Sequence, residues 1–233
     1  MSKAEKVVFG RDFFVIDPAK CALLIIDMQN SFVEPGAVYE APNARRIIPN
    51  INRLARAARQ KNIPIVWTQS DHSPPGGGLI LQKHPVIREE QELWRGHRSF
   101  EIYAGSGRPG ATEPEMVQPQ PGDLRVVKHK FDAFFGTDLD MLLGNLGKDT
   151  VIITGIATEV CCESTARSAF FREYKVVFLR DANEALDPRQ QEPAFERLDF
   201  LFARVITTEE LLGALDGAEL DAGAATLKEA VGG

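Results

Sequence analysis

The chain predicts an α/β domain in three layers, a parallel β-sheet with helices packed on both faces. Three observations carry this. Short apolar runs, such as Ala22-Leu23-Leu24-Ile25-Ile26, alternate with stretches whose apolar residues recur at helical spacing. The apolar runs are continuous rather than polar-alternating, as in strands buried on both faces. No internal repeat and no break in composition divides the 233 residues, a length that suits one large domain with insertions. Residues 1–233 are therefore read as one domain.

In chain order, Ala22–Asp27 is a buried strand, and the turn-rich Glu34-Pro35-Gly36 follows it. Ile48–Lys61 is a helix, because Ile48, Ile51, Leu54, Ala55 and Ala58 fall on one face, and Asn62 stops it. Ile63–Gln69 is the next strand and Leu124–Lys128 the third. A helix over Thr137–Leu146 takes Thr137 as its N-cap. Thr150–Gly155 is the fourth strand and Cys161–Arg172 the helix after it. Lys175–Arg180 is the fifth strand, Arg189–Leu201 a helix, Val205–Ile206 a short sixth strand and Thr208–Leu215 the last helix. The stretch 70–122 breaks the rhythm. It is rich in Gly and Pro and carries Lys83, Arg88, Arg95, Arg98 and Arg108, so it is read as a functional insertion, a lid over substrate. The tail after Leu215 is rich in Ala, Gly and Asp.

Composition narrows the function classes. Hydrophobic residues at 44% and charged residues at 26% are ordinary for a globular domain and argue against disorder or collagen. No apolar run is long enough to span a bilayer, and residues 1–17 hold no continuous hydrophobic region of a secretory signal. A net charge of −6 speaks against a nucleic-acid partner. Cys21, Cys161 and Cys162 are too few and too oddly spaced for a disulfide framework or a zinc site, so a reducing, cytoplasmic setting is expected.

Ligands of open α/β sheets bind outside the carboxyl ends of the strands. Asp27 ends the first strand, Lys128 ends the third, and Cys161 opens the helix after the fourth. An acid, an amine and a thiol on one edge form a catalytic set. The helix N-terminus and a nearby ammonium would favour a thiolate at Cys161, and Asp27 could take the thiol proton and return it to a leaving amine. A cysteine in such a fold is ordinarily a small buried hydrophobe. That reading suits Cys162, which aligns with Thr165, Ala166 and Ala169; Cys161 aligns with Ser164 and Ser168.

Three segments carry a family resemblance: Leu24-Ile25-Ile26-Asp27-Met28-Gln29-Asn30-Ser31-Phe32, Val127-Lys128-His129-Lys130-Phe131-Asp132-Ala133-Phe134-Phe135-Gly136-Thr137, and Thr154-Gly155-Ile156-Ala157-Thr158-Glu159-Val160-Cys161-Cys162-Glu163-Ser164-Thr165-Ala166-Arg167. In order and spacing the chain resembles the isochorismatase-like cysteine hydrolases, and the resemblance covers about residues 14–215, the core of the domain. The resemblance implies a six-stranded parallel sheet and an Asp–Lys–Cys triad at Asp27, Lys128 and Cys161. It prefers Lys128 over Lys130, because the family lysine stands six residues before Phe134. It also implies a non-proline cis peptide between Ile156 and Ala157, an oxyanion hole from the Ala157 and Cys161 N–H groups, and a homo-oligomer, dimer or tetramer.

True isochorismatases lack the cysteine, so its presence favours C–N bond hydrolysis. Nicotinamidases carry a metal on an Asp-x-His after the second strand. Here the sequence reads Ser70-Asp71-His72-Ser73, and His84, His97 and His129 complete no ligand set, so neither metal nor other cofactor is expected. The motifs look most like hydrolases of ureidoacrylate, biuret, triuret and N-carbamoyl amines, which implies a small ureide substrate. Gln29, Asn30, Phe32, Trp67 and Phe134 are the candidates to bind it. A nicotinamidase-like small-amide hydrolase is the alternative. A non-enzymatic redox sensor or ligand-binding protein using Cys161 and Cys162 is the remote one, since neighbouring cysteines rarely close a disulfide without strain.

Overall fold

The computed structural model describes residues 14–71, 100–105 and 115–217. Six strands form one sheet: β1 Cys21–Ile26, β2 Ile65–Ser70, β3 Leu124–Lys128, β4 Thr150–Ile156, β5 Lys175–Glu184 and β6 Arg204–Ile206. All pairings are parallel and the order is β3-β2-β1-β4-β5-β6. The chain steps outward from β1 to β3, returns to lay β4 on the other side of β1, and steps outward again. The reversal leaves a crevice between the carboxyl ends of β1 and β4, where open α/β sheets hold their ligands.

The helices among the described residues are α1 Asn30–Val33, α2 Ile48–Gln60, α3 Leu139–Asn145, α4 Glu163–Phe171, α5 Pro188–Arg197 and α6 Thr208–Leu215. Strand alternation divides the core in two. Leu23, Ile25, Ile65 and Trp67 pack with Ile48, Ile51 and Leu211 on one face. Ala22, Leu24, Ile26, Val66 and Val126 pack with Leu139, Ala166 and Phe195 on the other. The three layers are thus as expected.

Element ends follow local chemistry. Asn62, at φ 56°, ends α2 as read from the sequence. Asp187 caps α5 through the Arg189 N–H, with Pro188 in the first turn. Thr207 and Glu210 form a capping box on α6. Asp181 joins them, accepting from the Thr208 N–H at 2.7 Å and from Asn50 Nδ2 at 3.0 Å. That structural role suits its place on β5.

Most boundaries shift by a residue or two, and the helix expected to run to Leu201 ends at Arg197; three differences matter for the site and its surroundings. β5 runs on to Glu184, past a shift in register against β4 that Asn183 bridges by donating to the Ile153 and Leu179 carbonyls. The helix expected to start at Cys161 starts at Glu163. Before it lies a wide turn over Thr158–Cys162, in which the Ala157 carbonyl accepts from Val160 N at 3.1 Å and Cys162 N at 3.0 Å. The bond to Cys162 is five residues long, a spacing that apolar periodicity does not reveal. The helix expected at Thr137 begins at Leu139, although Thr137 Oγ1 does accept from the Leu139 N–H at 3.2 Å. The lid expected over 70–122, with its arginines and lysine, falls mostly outside the described residues, as does the tail from residue 218.

One glycine is dictated by the sheet. Gly155 sits beside Ile26 at φ +119°, and a Cβ there would overlap the Ile26 carbonyl oxygen and approach its nitrogen to 2.7 Å. All of these are backbone atoms of β1, which cannot swing aside. Gly155→Ala should therefore destabilise the protein by at least about 2 kcal/mol in urea unfolding. Gly144→Ala, in α3 with open space around it, should stabilise by about 0.5–1 kcal/mol in the same assay.

Candidate active site

Asp27 follows β1 directly, and its backbone leaves the extended region at φ 49°. Its N–H stays tied to β2, to Thr68 O at 3.3 Å and Thr68 Oγ1 at 3.2 Å. Thr68 and Ser70 share the face of Val66, and Lys128 shares that of Val126, both on the side of the sheet where Cys161 packs. Register places Ser70 opposite Lys128 across β2 and β3. Five side chains therefore meet at the carboxyl edge. Asp27 Oδ1 accepts from Thr68 Oγ1 at 2.6 Å, and Oδ2 accepts from Ser70 Oγ at 3.0 Å. The Lys128 ammonium has four acceptors within reach: Asp27 Oδ2 at 2.7 Å, Ser70 Oγ at 2.7 Å, Lys130 O at 3.0 Å and Cys161 Sγ at 3.3 Å. Lys130 thus contributes a carbonyl while Lys128 contributes the amine. Asp27 and Lys128 are wholly buried, and Cys161 is 5% exposed.

Burial alone would pull the Lys128 ammonium down, but Asp27 and Cys161 together hold it above the ordinary lysine range. Burial pushes the Cys161 thiol up to about 12; Lys128 opposes this, and Asp27, which accepts the thiol hydrogen, adds to it. Burial and Asp27 thus work against the thiolate expected at Cys161, and Lys128 works for it. The positive charge of Lys128 is matched by Asp27, and the sulfur sits dry in the wide turn rather than at a solvated helix end. Cys162 is raised well above the usual thiol range, first by burial, and packs with Ala166 and Ala169, as expected of a core cysteine. All three cysteines are free.

The peptide between Ile156 and Ala157 is cis. The candidates for substrate binding fare differently from the triad. Gln29 is fully buried; its Oε1 accepts from Ser70 N at 2.8 Å and its Nε2 donates to Ser70 O at 3.0 Å, so its amide reads backbone instead of substrate. Trp67 points away from Thr68 and Ser70 into the opposite core, where its indole N–H donates to Asp123 at 3.0 Å. Phe32 packs against Tyr39 at 6.2 Å in that same core. Phe134 packs against Tyr174 at 5.6 Å, in the core that also holds Cys161. Asn30 is half-buried at the start of α1.

Thr68 and Ser70 escaped the sequence reading. Their signal was two hydroxyls spaced by two at the carboxyl end of a buried strand. Glu159 escaped it as well: its carboxylate accepts from Leu186 N at 3.3 Å and Asp187 N at 3.0 Å and so ties the wide turn to the loop after β5. A piece of the insertion is also built into the site's wall. Residues 100–103 run along the loop after β1, with Asn30 N donating to Glu101 O and Tyr103 N to Met28 O, each at 2.9 Å. Among the described residues no cluster of three or more His, Cys, Asp or Glu could hold a metal, and His72 lies outside them.

Comparison with known proteins agrees with this geometry. An isochorismatase domain matches residues 21–210. A cysteine hydrolase from Pseudomonas syringae pv. phaseolicola 1448A is similar with a TM-score of 0.75 and 26% identity, over 93% of this chain and 100% of that one. N-carbamoylsarcosine amidase from Thermoplasma acidophilum is similar with a TM-score of 0.61 and 26% identity, over 82% and 97% of the two chains. The pyrazinamidase of Pyrococcus horikoshii, solved in complex with zinc, gives 0.62 and 28%, over 81% and 99%. With a match across most of its length, the chain belongs to the isochorismatase family of hydrolases.

Proposed function

We propose that the protein is a cysteine-dependent amidohydrolase that cleaves a C–N bond of a small linear ureide or carbamoyl compound and releases ammonia or a small amine. The observation that carries this reading is the Lys128 ammonium lying between Asp27 and Cys161, at 2.7 Å and 3.3 Å, out of contact with solvent. Such a trio supplies a nucleophile, a proton acceptor and a fixed positive charge in one dry place.

The chemistry starts from a resting thiol. Asp27 takes the Cys161 proton as the sulfur attacks the carbonyl carbon, and Lys128 stabilises the negative charge that grows on sulfur. The tetrahedral oxyanion is held by the Ala157 and Cys161 N–H groups. The C–N bond breaks as Asp27 passes its proton to the nitrogen, and the amine leaves. Water then attacks the acyl or carbamoyl thioester while Asp27 accepts its proton. The C–S bond breaks and Asp27 returns that proton to sulfur. No cofactor enters these steps.

Two of the similar structures bear the name amidase, which supports C–N cleavage, and one of them is named for a carbamoyl compound. The pyrazinamidase likeness keeps aromatic amides as the second reading. Three free cysteines suit a reducing cytoplasm, and none of the described helices is long and apolar enough to cross a membrane.

An ammonia-release screen over biuret, triuret, ureidoacrylate, N-carbamoyl amines and nicotinamide separates the two readings. On any active substrate Cys161→Ala should lower turnover by at least about 10³-fold, and Cys162→Ala should keep most of it. Turnover that survives in the first variant would remove the covalent mechanism. The resting thiol has its own check. Near pH 8 the absorbance difference at about 240 nm between the protein and its Cys161→Ala variant should show no thiolate. A thiolate band would mean that Lys128, rather than Asp27, governs the sulfur.

A further inference from the structure

We propose that Ser70 is a positioning residue: its hydroxyl keeps the Lys128 ammonium turned from Cys161 until Asp27 has taken the thiol proton. The proposal rests on the covalent mechanism above and deepens it.

An ammonium has three N–H groups. Around Lys128 Nζ stand four acceptors: Asp27 Oδ2 at 2.7 Å, Ser70 Oγ at 2.7 Å, Lys130 O at 3.0 Å and Cys161 Sγ at 3.3 Å. With one proton too few, the sulfur, which is the farthest and the least polar, goes short at rest. Ser70 is the competitor that matters. Its oxygen accepts from Lys128 while its own hydrogen goes to Asp27 Oδ2 at 3.0 Å, which closes a ring of three groups. The ring is strongest while Asp27 is a carboxylate. Once Asp27 carries the Cys161 proton, its pull on both the ammonium and the Ser70 hydroxyl falls, and an N–H becomes available to the new thiolate. The ammonium thus turns to sulfur after the proton has reached Asp27, where it is needed for the leaving amine.

The backbone of Ser70 is held for this purpose. Gln29 accepts from its N–H and donates to its carbonyl, at 2.8 Å and 3.0 Å, and a side-chain amide can do both at once. Gln29 Nε2 also reaches Phe100 O at 3.3 Å, and Gln69 Nε2 reaches the same oxygen at 2.6 Å. The segment from the insertion is thereby linked to the hydroxyl at the centre of the site.

Ser70→Ala removes one oxygen and adds nothing that could clash. It frees an ammonium proton for sulfur at rest, so the thiol should ionise more easily without delivering its proton to Asp27. Alkylation of Cys161, located by peptide mass and measured between about pH 7 and pH 9, should become about tenfold faster at each pH. Iodoacetamide and the bulkier N-phenylmaleimide should gain by the same factor, whereas a merely loosened site would favour one over the other. On any active substrate kcat should fall about tenfold or more with little change in KM. Ser70→Thr, which keeps the hydroxyl, should return alkylation toward the wild-type rate. Alkylation that is unchanged or slower in Ser70→Ala, or a gain that differs between the two reagents, would overturn the proposal. Alkylation needs no ureide, so failure of the substrate screen leaves this test intact, and unchanged alkylation with normal ammonia release would sink the role of Ser70 alone.

Discussion

A lysine with no access to water stays charged only if the protein replaces every hydrogen bond that water would have made. The desolvation cost of a lone buried ammonium is several kcal/mol, more than any neighbouring apolar contact returns. Lys128 meets that demand with a carboxylate, a hydroxyl and a backbone carbonyl, and a sulfur stands within reach as a fourth acceptor. Much of the carboxyl edge follows from this. Thr68 and Ser70 end a strand that begins Ile65-Val66-Trp67, and they supply Asp27 with donors that hold it beside Lys128. Gln29 is buried because Ser70 must not move.

The same pairing sets the chemistry. A thiol beside a free ammonium would ionise more easily, but here the positive charge is already answered by Asp27, and burial works against the thiolate. The sheet makes this possible by its order. β1 and β4 lie side by side with reversed progression on either hand, so Asp27 and the turn carrying Cys161 emerge next to each other. Gly155 allows β4 to run against the Ile26 backbone at the last pair before both chains turn. Beyond it, Glu159 ties the wide turn to the loop after β5.

The strands and the triad were legible because each rests on a local signal. Continuous apolar runs mark strands buried on both faces, and reactive residues at their ends mark the edge where ligands bind. The helix faces of α2 and α4 followed from spacing alone. The substrate-binding candidates were not legible in this way. Trp67 and Thr68 are neighbours in sequence, yet strand alternation sends them to opposite cores. Phe134 stands six residues after Lys128, yet its ring packs against Tyr174. Gln29 stands two residues from Asp27, as a substrate-reading amide would, and its bonds go to backbone.

By itself the sequence determined the layers, the strands and the identity of the acid, amine and thiol, since these depend on residue type and spacing along the chain. Tertiary structure decided the burial that opposes a Cys161 thiolate, the entry of Thr68 and Ser70 into the site, and which protein neighbours Gln29, Phe32, Trp67 and Phe134 meet. Those outcomes depend on which side chains from distant strands share a dry space. Burial and the count of donors against acceptors are properties of that space, and no stretch of the chain carries them alone.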